Sequence, residues 1–270
     1  MDFYDRIIDG RALAKKYEES LKIKVKSLKR IPKVISILVG SDPASLLYSQ
    51  IKKKKAAEIG IDFDFIQFPA EEKYEVVEKY IKDLNDDLDV SGIMIQLPLP
   101  KMFLGDKNED ELVSTINPHK DVDGLRSDSL FIHATVRAVL TIFKEEEIEV
   151  GGKVVAVVGA TGMVGTPMVY ELKKRGAEVI PIHSKTRGLE GKTKEADIII
   201  SAVGIPNLIT EDMVKEGVVV IDVGMDVDFE NVSKKAFKIT PPKGGVGPVT
   251  VISLMENVFD AACHNPPLAI

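Results

Sequence analysis

Val154-Val155-Ala156-Val157-Val158-Gly159-Ala160-Thr161-Gly162-Met163-Val164-Gly165 is the stretch on which the reading of the fold turns. Five apolar residues, four of them valine, run into glycines spaced G-x-x-G-x-x-G, and a helix pattern continues to about Arg175. A strand that feeds a glycine turn into a helix start presents free backbone N–H groups and a positive dipole end, both suited to an anion. The spacing departs from the commoner G-x-G-x-x-G fingerprint, and glycines at such a turn also serve pure packing. Glu178–Ile182 completes a β-α-β unit. Asp197–Ala202 and Val218–Val223 add two more strands of the buried type. They lead into Ser201-Ala202-Val203-Gly204 and Asp222-Val223-Gly224, at the carboxyl edge where open α/β sheets take their ligands.

The half of the chain before this unit reads the same way. Lys33–Gly40 is a β-branched run. Asp42 then caps a helix whose first position suits Pro43 and which stops at Gly60 after Ile59. Ile61–Phe68 is a strand, Lys73–Leu88 a charged amphipathic helix, and Val90–Leu97 a nearly continuous apolar strand closed by Pro98 and Pro100. Strands without polar alternation are covered on both faces, which implies a parallel sheet. A polar stretch, Lys101–Leu125, precedes a helix from about Thr135 to Glu147, and the boundary is placed within residues 135–150. The fold expected is therefore α/β with two α/β domains, the second a Rossmann-like dinucleotide-binding domain.

Composition supports this and excludes much else. A chain of 270 residues favours two domains over one. A net charge of −6 argues against a nucleic-acid binder, which needs a basic face. With 44% hydrophobic and 29% charged residues the chain suits a globular core. The single Cys263 excludes a disulfide framework and a thiolate metal cluster. Met1–Gly10 carries Asp2, Asp5, Arg6 and Asp9 and so lacks a secretory apolar segment. The uncharged stretch Val154–Tyr170 is broken by glycines and Pro167 and does not read as a membrane span. The expectation is a cytoplasmic, soluble, metal-free protein.

Several residues carry candidate chemistry. The strand after the glycine turn ends in His183-Ser184-Lys185-Thr186-Arg187, without the carboxylate that holds the ribose hydroxyls of NAD. Its cations suit a 2′-phosphate, or simply a solvated basic loop. On the first-half helix Ser45, Tyr48, Lys52, Ala56 and Ile59 share one face, whereas Lys53, Lys54 and Lys55 spread around the others. Four consecutive lysines are normally a solvated surface. Gln96 is a polar side chain at the end of a buried strand, where its amide needs partners, either in a site or merely in tying down the Pro98 turn. Asp121 and Asp123 alternate in a loop; too few ligands cluster there for a metal. His133 reads as a core or edge residue.

Taken in order, Tyr48-x-x-x-Lys52, the Gln96-Leu97-Pro98 strand end, Lys120-Asp121-Val122-Asp123-Gly124, Val157-Val158-Gly159, His183-Ser184-Lys185-Thr186 and Gly244-Gly245-Val246-Gly247-Pro248-Val249-Thr250 closely resemble the bifunctional methylenetetrahydrofolate dehydrogenase/methenyltetrahydrofolate cyclohydrolase family. The resemblance covers essentially the whole chain. It implies oxidation of 5,10-methylenetetrahydrofolate with NADP, then hydrolysis of the methenyl product to 10-formyltetrahydrofolate, within one-carbon metabolism and purine biosynthesis. By the same resemblance Lys52, supported by Gln96, is the chief catalytic group, Tyr48 stacks on the folate and Asp123 bonds its pterin edge. Ile95, Leu97 and Asp121 join the substrate site, and Gly244, Gly245, Val246, Gly247, Pro248 and Thr250 form a loop closing over the folate. Gly159, Ala160, Thr161, Ser184 and Met225 match cofactor-contacting positions, beside Lys185 and Arg187.

The implied organisation is a folate-binding catalytic domain over 1–140, an NADP-binding domain over 141–249 and a terminal helix, about Thr250 to Asn265, packing back on the first domain. The same resemblance implies a folate cleft between the two domains and a homodimer. Two departures stand out. Ala160-Thr161 replaces the Arg-Ser common in the family after the first glycine, removing an arginine for the 2′-phosphate. His133-Ala134-Thr135-Val136 replaces P-C-T-P or P-A-T-P before the linker helix. Alternatives are a dehydrogenase without cyclohydrolase activity and a non-catalytic, NADP-responsive binding protein. The joint presence of Tyr48, Lys52, Gln96 and Asp123 argues against the latter.

Overall fold

The computed structural model describes residues 3–264. In chain order the main elements are α1 (Gly10–Lys26), β1 (Lys33–Val39), α2 (Pro43–Ile59), β2 (Asp62–Phe68), α3 (Tyr74–Asp86), β3 (Gly92–Ile95), α4 (Ala134–Glu145), β4 (Val154–Val158), α5 (Gly165–Lys174), β5 (Glu178–Ile182), α6 (Leu189–Glu195), β6 (Ile198–Ser201), β7 (Val219–Asp222), α7 (Phe229–Lys235), β8 (Lys238–Ile239) and α8 (Val246–His264). They form two compact α/β units. Among the described residues, one comprises 17–134 and 251–264, the other 3–16 and 135–250.

The unit containing residues 17–134 is built on a three-stranded parallel sheet ordered β2-β1-β3. Strand β1 is central and almost wholly buried, which explains its unbroken apolar sequence. Period-two alternation sorts its side chains. Ile35, Ile37 and Val39, with Ile93 and Ile95 of β3, pack into a core with Val77, Ile81 and Leu84 of α3. Val34, Ser36 and Leu38 therefore point to the opposite face. Helix α2 starts where its sequence says it should: the Asp42 carboxylate accepts from the Ser45 N–H at 2.8 Å, and Pro43 occupies the first turn. It stops at Gly60, whose φ of +97° lets its N–H return to the Ala56 and Ala57 carbonyls. Lys120 is buried with its ammonium donating to the carbonyls of Leu84 at 2.8 Å and Asp87 at 2.6 Å, a cationic cap on the end of α3. In the C-terminal helix, the Asn257 amide donates to the carbonyls of Val122 and Ile132, tying α8 to the loops of this unit.

The other unit carries a five-stranded sheet ordered β5-β4-β6-β7-β8, with every pairing parallel. The turn after β4 lies beside the switch in strand order, the place where such sheets bind ligands. Residues 3–16 belong to this unit, whereas the expected first domain runs over 1–140. Ile8 donates its N–H to the Ile239 carbonyl at 2.9 Å, and the Arg6 guanidinium reaches the Lys234 carbonyl at 2.7 Å. Such long-range backbone pairing leaves no periodic signal in the sequence.

Helix α8 begins at Val246, inside the glycine motif, rather than at about Thr250; Asn265 lies outside the described residues. Val246–His264 is also the one described helix long and apolar enough to cross a membrane, and half of it is buried within the protein, as a core helix is.

Candidate active site and dinucleotide turn

In the first unit, α2 presents Tyr48 and Lys52 one turn apart, Tyr48 with 56% of its surface exposed and Lys52 half-buried. Lys52 Nζ lies 3.4 Å from Gln96 Oε1 and donates to it. The Gln96 amide in turn donates to Ser36 Oγ at 2.9 Å. Gln96 thus serves Lys52 and the sheet, not the Pro98 turn, where the Leu97–Pro98 peptide is cis. Burial pushes the Lys52 ammonium below the ordinary lysine range, and the Asp123 carboxylate opposes that shift. The other three lysines differ in kind. Lys53 and Lys54 are exposed, and Lys55 pairs with Glu18 at 2.7 Å and Glu58 at 2.6 Å.

The loop carrying the two aspartates divides their roles. Asp121 is fully buried, and its carboxylate accepts from the N–H groups of Leu125 at 3.3 Å and Arg126 at 2.9 Å. Burial raises its pKa above the usual carboxylate range. Asp121 therefore shapes the loop, while half-buried Asp123 is near enough for its charge to act on both Lys52 and His133. His133 is buried, which lowers its pKa, and Asp123 again opposes. Ile95 and Leu97, expected in the substrate site, turn their side chains the other way. Both pack with the core on the α3 face, opposite Ser36, because alternate residues of a strand point to opposite faces. They have only backbone to offer the Lys52 side.

In the second unit the turn after β4 is tightly wound. Gly159 has φ +90°, and its N–H and that of Ala160 both donate to the Ile182 carbonyl at 2.9 Å. A Cβ on Gly165 would fall 2.0 Å from the Gly159 carbonyl oxygen, so only glycine lets α5 start this close to the strand end. The N–H groups of Thr161, Met163 and Val164 have no acceptor among the described residues, and they stand at the mouth of α5. Beyond β5, Ser184, Lys185 and Arg187 are exposed on a loop pinned by the His183 N–H donating to Thr186 Oγ1 at 3.0 Å. Neither Lys185 nor Arg187 makes an ion pair among the described residues. Free N–H donors, a helix start and two uncommitted cations fit a phosphorylated dinucleotide.

Asp226 was not picked out from sequence. Fully buried, its carboxylate accepts from Ser201 Oγ at 2.6 Å and from the N–H groups of Val203, Gly204 and Ile205 at 2.6–2.8 Å. It fixes the loop after β6, next to Met225, which is more than half exposed at a φ of +60°. The pattern Asp222-Val223-Gly224 marked the region but not this carboxylate. The motif Gly244–Thr250 is likewise partly structural. A Cβ on Gly10 would fall 1.8 Å from the Gly245 carbonyl oxygen, and one on Gly245 would fall 2.5 Å from that of Pro241. Of the motif's glycines, Gly247 alone opens onto free space.

The fold and the two constellations define a class: a two-unit α/β enzyme with a dinucleotide-binding turn on one unit and a lysine bonded to a buried glutamine on the other. Residues 8–123 match the catalytic domain of the tetrahydrofolate dehydrogenase/cyclohydrolase family, and residues 133–266 match its NAD(P)-binding domain. The chain belongs to that family. It is 44% identical over 274 residues to the bifunctional protein FolD of Lactobacillus acidophilus, covering 94% of this chain and 95% of that protein. The crystal structure of the bifunctional FolD methylenetetrahydrofolate dehydrogenase/cyclohydrolase from Campylobacter jejuni is similar at a TM-score of 0.92 and 38% identity, over 96% of this chain and 98% of that one. The Trypanosoma brucei enzyme, solved with NADP cofactor and an inhibitor, gives a TM-score of 0.89 at 30% identity, over 97% and 98% of the two chains.

Proposed function

We propose that this chain oxidises 5,10-methylenetetrahydrofolate with NADP and hydrolyses the resulting methenyl compound to 10-formyltetrahydrofolate, with Lys52 as the group that serves the hydrolysis. The observation that carries the reading is the desolvated Lys52 ammonium held on Gln96 Oε1 at 3.4 Å with Asp123 nearby. NADP, when bound, supplies the nicotinamide that accepts a hydride from the folate's methylene. The turn Gly159–Thr161 and the free N–H groups at the start of α5 would hold its phosphates, and Lys185 and Arg187 its 2′-phosphate. Tyr48 offers an exposed ring for the flat pterin. Asp123 offers a carboxylate to the pterin's N–H edge. Water attacking the methenyl carbon must lose a proton, and a lysine whose pKa burial lowers takes it more readily at neutral pH.

The reading includes a homodimer in the cytoplasm, and size-exclusion chromatography with light scattering checks the former. Following NADPH and the methenyl species separately, with methylenetetrahydrofolate as substrate, tests the function itself. Accumulation of the methenyl compound with no faster hydrolysis than in buffer would reduce the protein to a dehydrogenase.

Two expected outcomes follow from the sites. Lys185 and Arg187 favour NADP over NAD by tenfold or more in kcat/KM, since a charge-assisted bond to phosphate is worth roughly 1.5–3 kcal/mol. Arg187→Ala narrows that ratio; equal kcat/KM for the two cofactors in the parent protein would sink the assignment. Asp123→Ala weakens both activities through poor folate positioning and leaves the fold intact by circular dichroism. A variant with parental kcat/KM for the folate would remove Asp123 from the site.

A further inference from the structure

We infer that Ser36 is a positioning residue for the Lys52–Gln96 pair: its hydroxyl anchors the Gln96 amide and so keeps the Gln96 carbonyl on Lys52. Ser36 is the one hydroxyl in the strand Lys33-Val34-Ile35-Ser36-Ile37-Leu38-Val39 and is fully buried in the middle of the sheet. A buried hydroxyl among valine, isoleucine and leucine costs stability unless it has a partner. Its partner is Gln96 Nε2 at 2.9 Å.

Hydrogen-bond polarity makes the assignment. The charged amine of Lys52 has donors only, so it must face the carbonyl end of the Gln96 amide. The amide's other end is then a donor and needs an acceptor on the sheet side. Ser36 Oγ, 2.9 Å away, is the acceptor it takes. Both anchor points are rigid. Ser36 lies on the central strand in register with Met94, and the Gln96 N–H donates to the Ile37 carbonyl at 2.8 Å. With a methyl group at position 36 the buried NH2 would lack an acceptor, and the side chain would swing to satisfy it, carrying the carbonyl off Lys52.

This inference rests on the proposed role of Lys52 in hydrolysis, so its test has two arms. In the first, at a pH above the Lys52 titration, where the amine is neutral in both proteins and only its placement differs, S36A lowers kcat for hydrolysis about tenfold, the scale of one misplaced hydrogen bond. KM for the folate and the rate of oxidation change less than about twofold. S36T, which keeps the hydroxyl, restores hydrolysis. In the second arm, the side-chain 13C resonance of Lys52 is titrated in ligand-free protein, so activity is not needed. Loss of the carbonyl partner destabilises the ammonium, and S36A moves the Lys52 titration to lower pH. Asp123 and His133, the other titratable groups that act on Lys52, are unchanged in this variant.

An unmoved Lys52 titration in S36A overturns the inference whatever the activities are. So does a parallel fall of both activities with the melting temperature, unrelieved by S36T. A parent protein that catalyses neither reaction, but whose Lys52 titration shifts in S36A, would refute the proposed function and leave the positioning role standing.

Discussion

Lys52→Met lowers hydrolysis of methenyltetrahydrofolate by about 10²–10⁴-fold, the usual scale of general acid–base help. Oxidation of methylenetetrahydrofolate survives far better, because hydride transfer demands orientation but moves no proton to the protein. The methenyl compound then accumulates and is read directly by absorbance. Methionine keeps the length and much of the apolar stem of lysine, so the packing beside Ala56 changes little. The pH dependence carries a sign as well. Burial lowers the Lys52 pKa, so its neutral form appears at a pH below that of an ordinary lysine, and hydrolysis in the parent rises with pH through that value. The variant loses this limb. Parallel loss of both activities would instead make Lys52 a substrate-positioning group.

Gly165→Ala is expected to cost the NADP site at least tenfold in affinity, measured by calorimetric titration. Two effects oppose each other at this position. Alanine is the better helix former, by about 1 kcal/mol over glycine. The added Cβ, however, meets three backbone atoms: the Gly159 carbonyl oxygen at 2.0 Å, its carbon at 2.7 Å and Ala160 Cα at 2.8 Å. None of these is a flexible side-chain end, so the turn itself must open, and overpacking of this kind costs about 1–3 kcal/mol. Opening the turn displaces the N–H groups of Thr161, Met163 and Val164 together. NADP affinity within twofold of the parent would show that this turn does not hold the phosphates.

Much of this molecule was legible before its structure. The glycine turn, the capped helix from Asp42 to Gly60 and the uninterrupted strands carry local signals, and each sits where its chemistry dictates. Lys52 was separable from Lys53, Lys54 and Lys55 because helical periodicity fixes which side chain joins which face. What escaped depends on pairs distant in sequence. Ser36 and Gln96 meet only once β1 and β3 align. Asp226 is meaningful only beside the backbone of Val203–Ile205. The motif around Gln96 does not say which way its neighbours turn, and the strand's alternation puts the Ile95 and Leu97 side chains on the α3 core. Asp121, drawn from the same motif as Asp123, is committed to the loop's own N–H groups.

Neither unit is a continuous length of polypeptide, and this bears on biosynthesis. A chain emerging from the ribosome delivers Arg6 and Ile8 more than 200 residues before their acceptors, Lys234 and Ile239. Residues 17–134 likewise wait for Asn257 to engage the carbonyls of Val122 and Ile132. Domains made of one contiguous segment can fold as they are synthesised, N-terminal half first. Here both halves stay incomplete until the segments around Ile239 and Asn257 have emerged, so a nascent chain halted before Ile239 leaves the 6–8 segment without those acceptors. Ribosome-bound chains arrested at successive lengths would acquire protease resistance late and in both units together, and the halves cut at residue 134 would each lack a segment that the other carries.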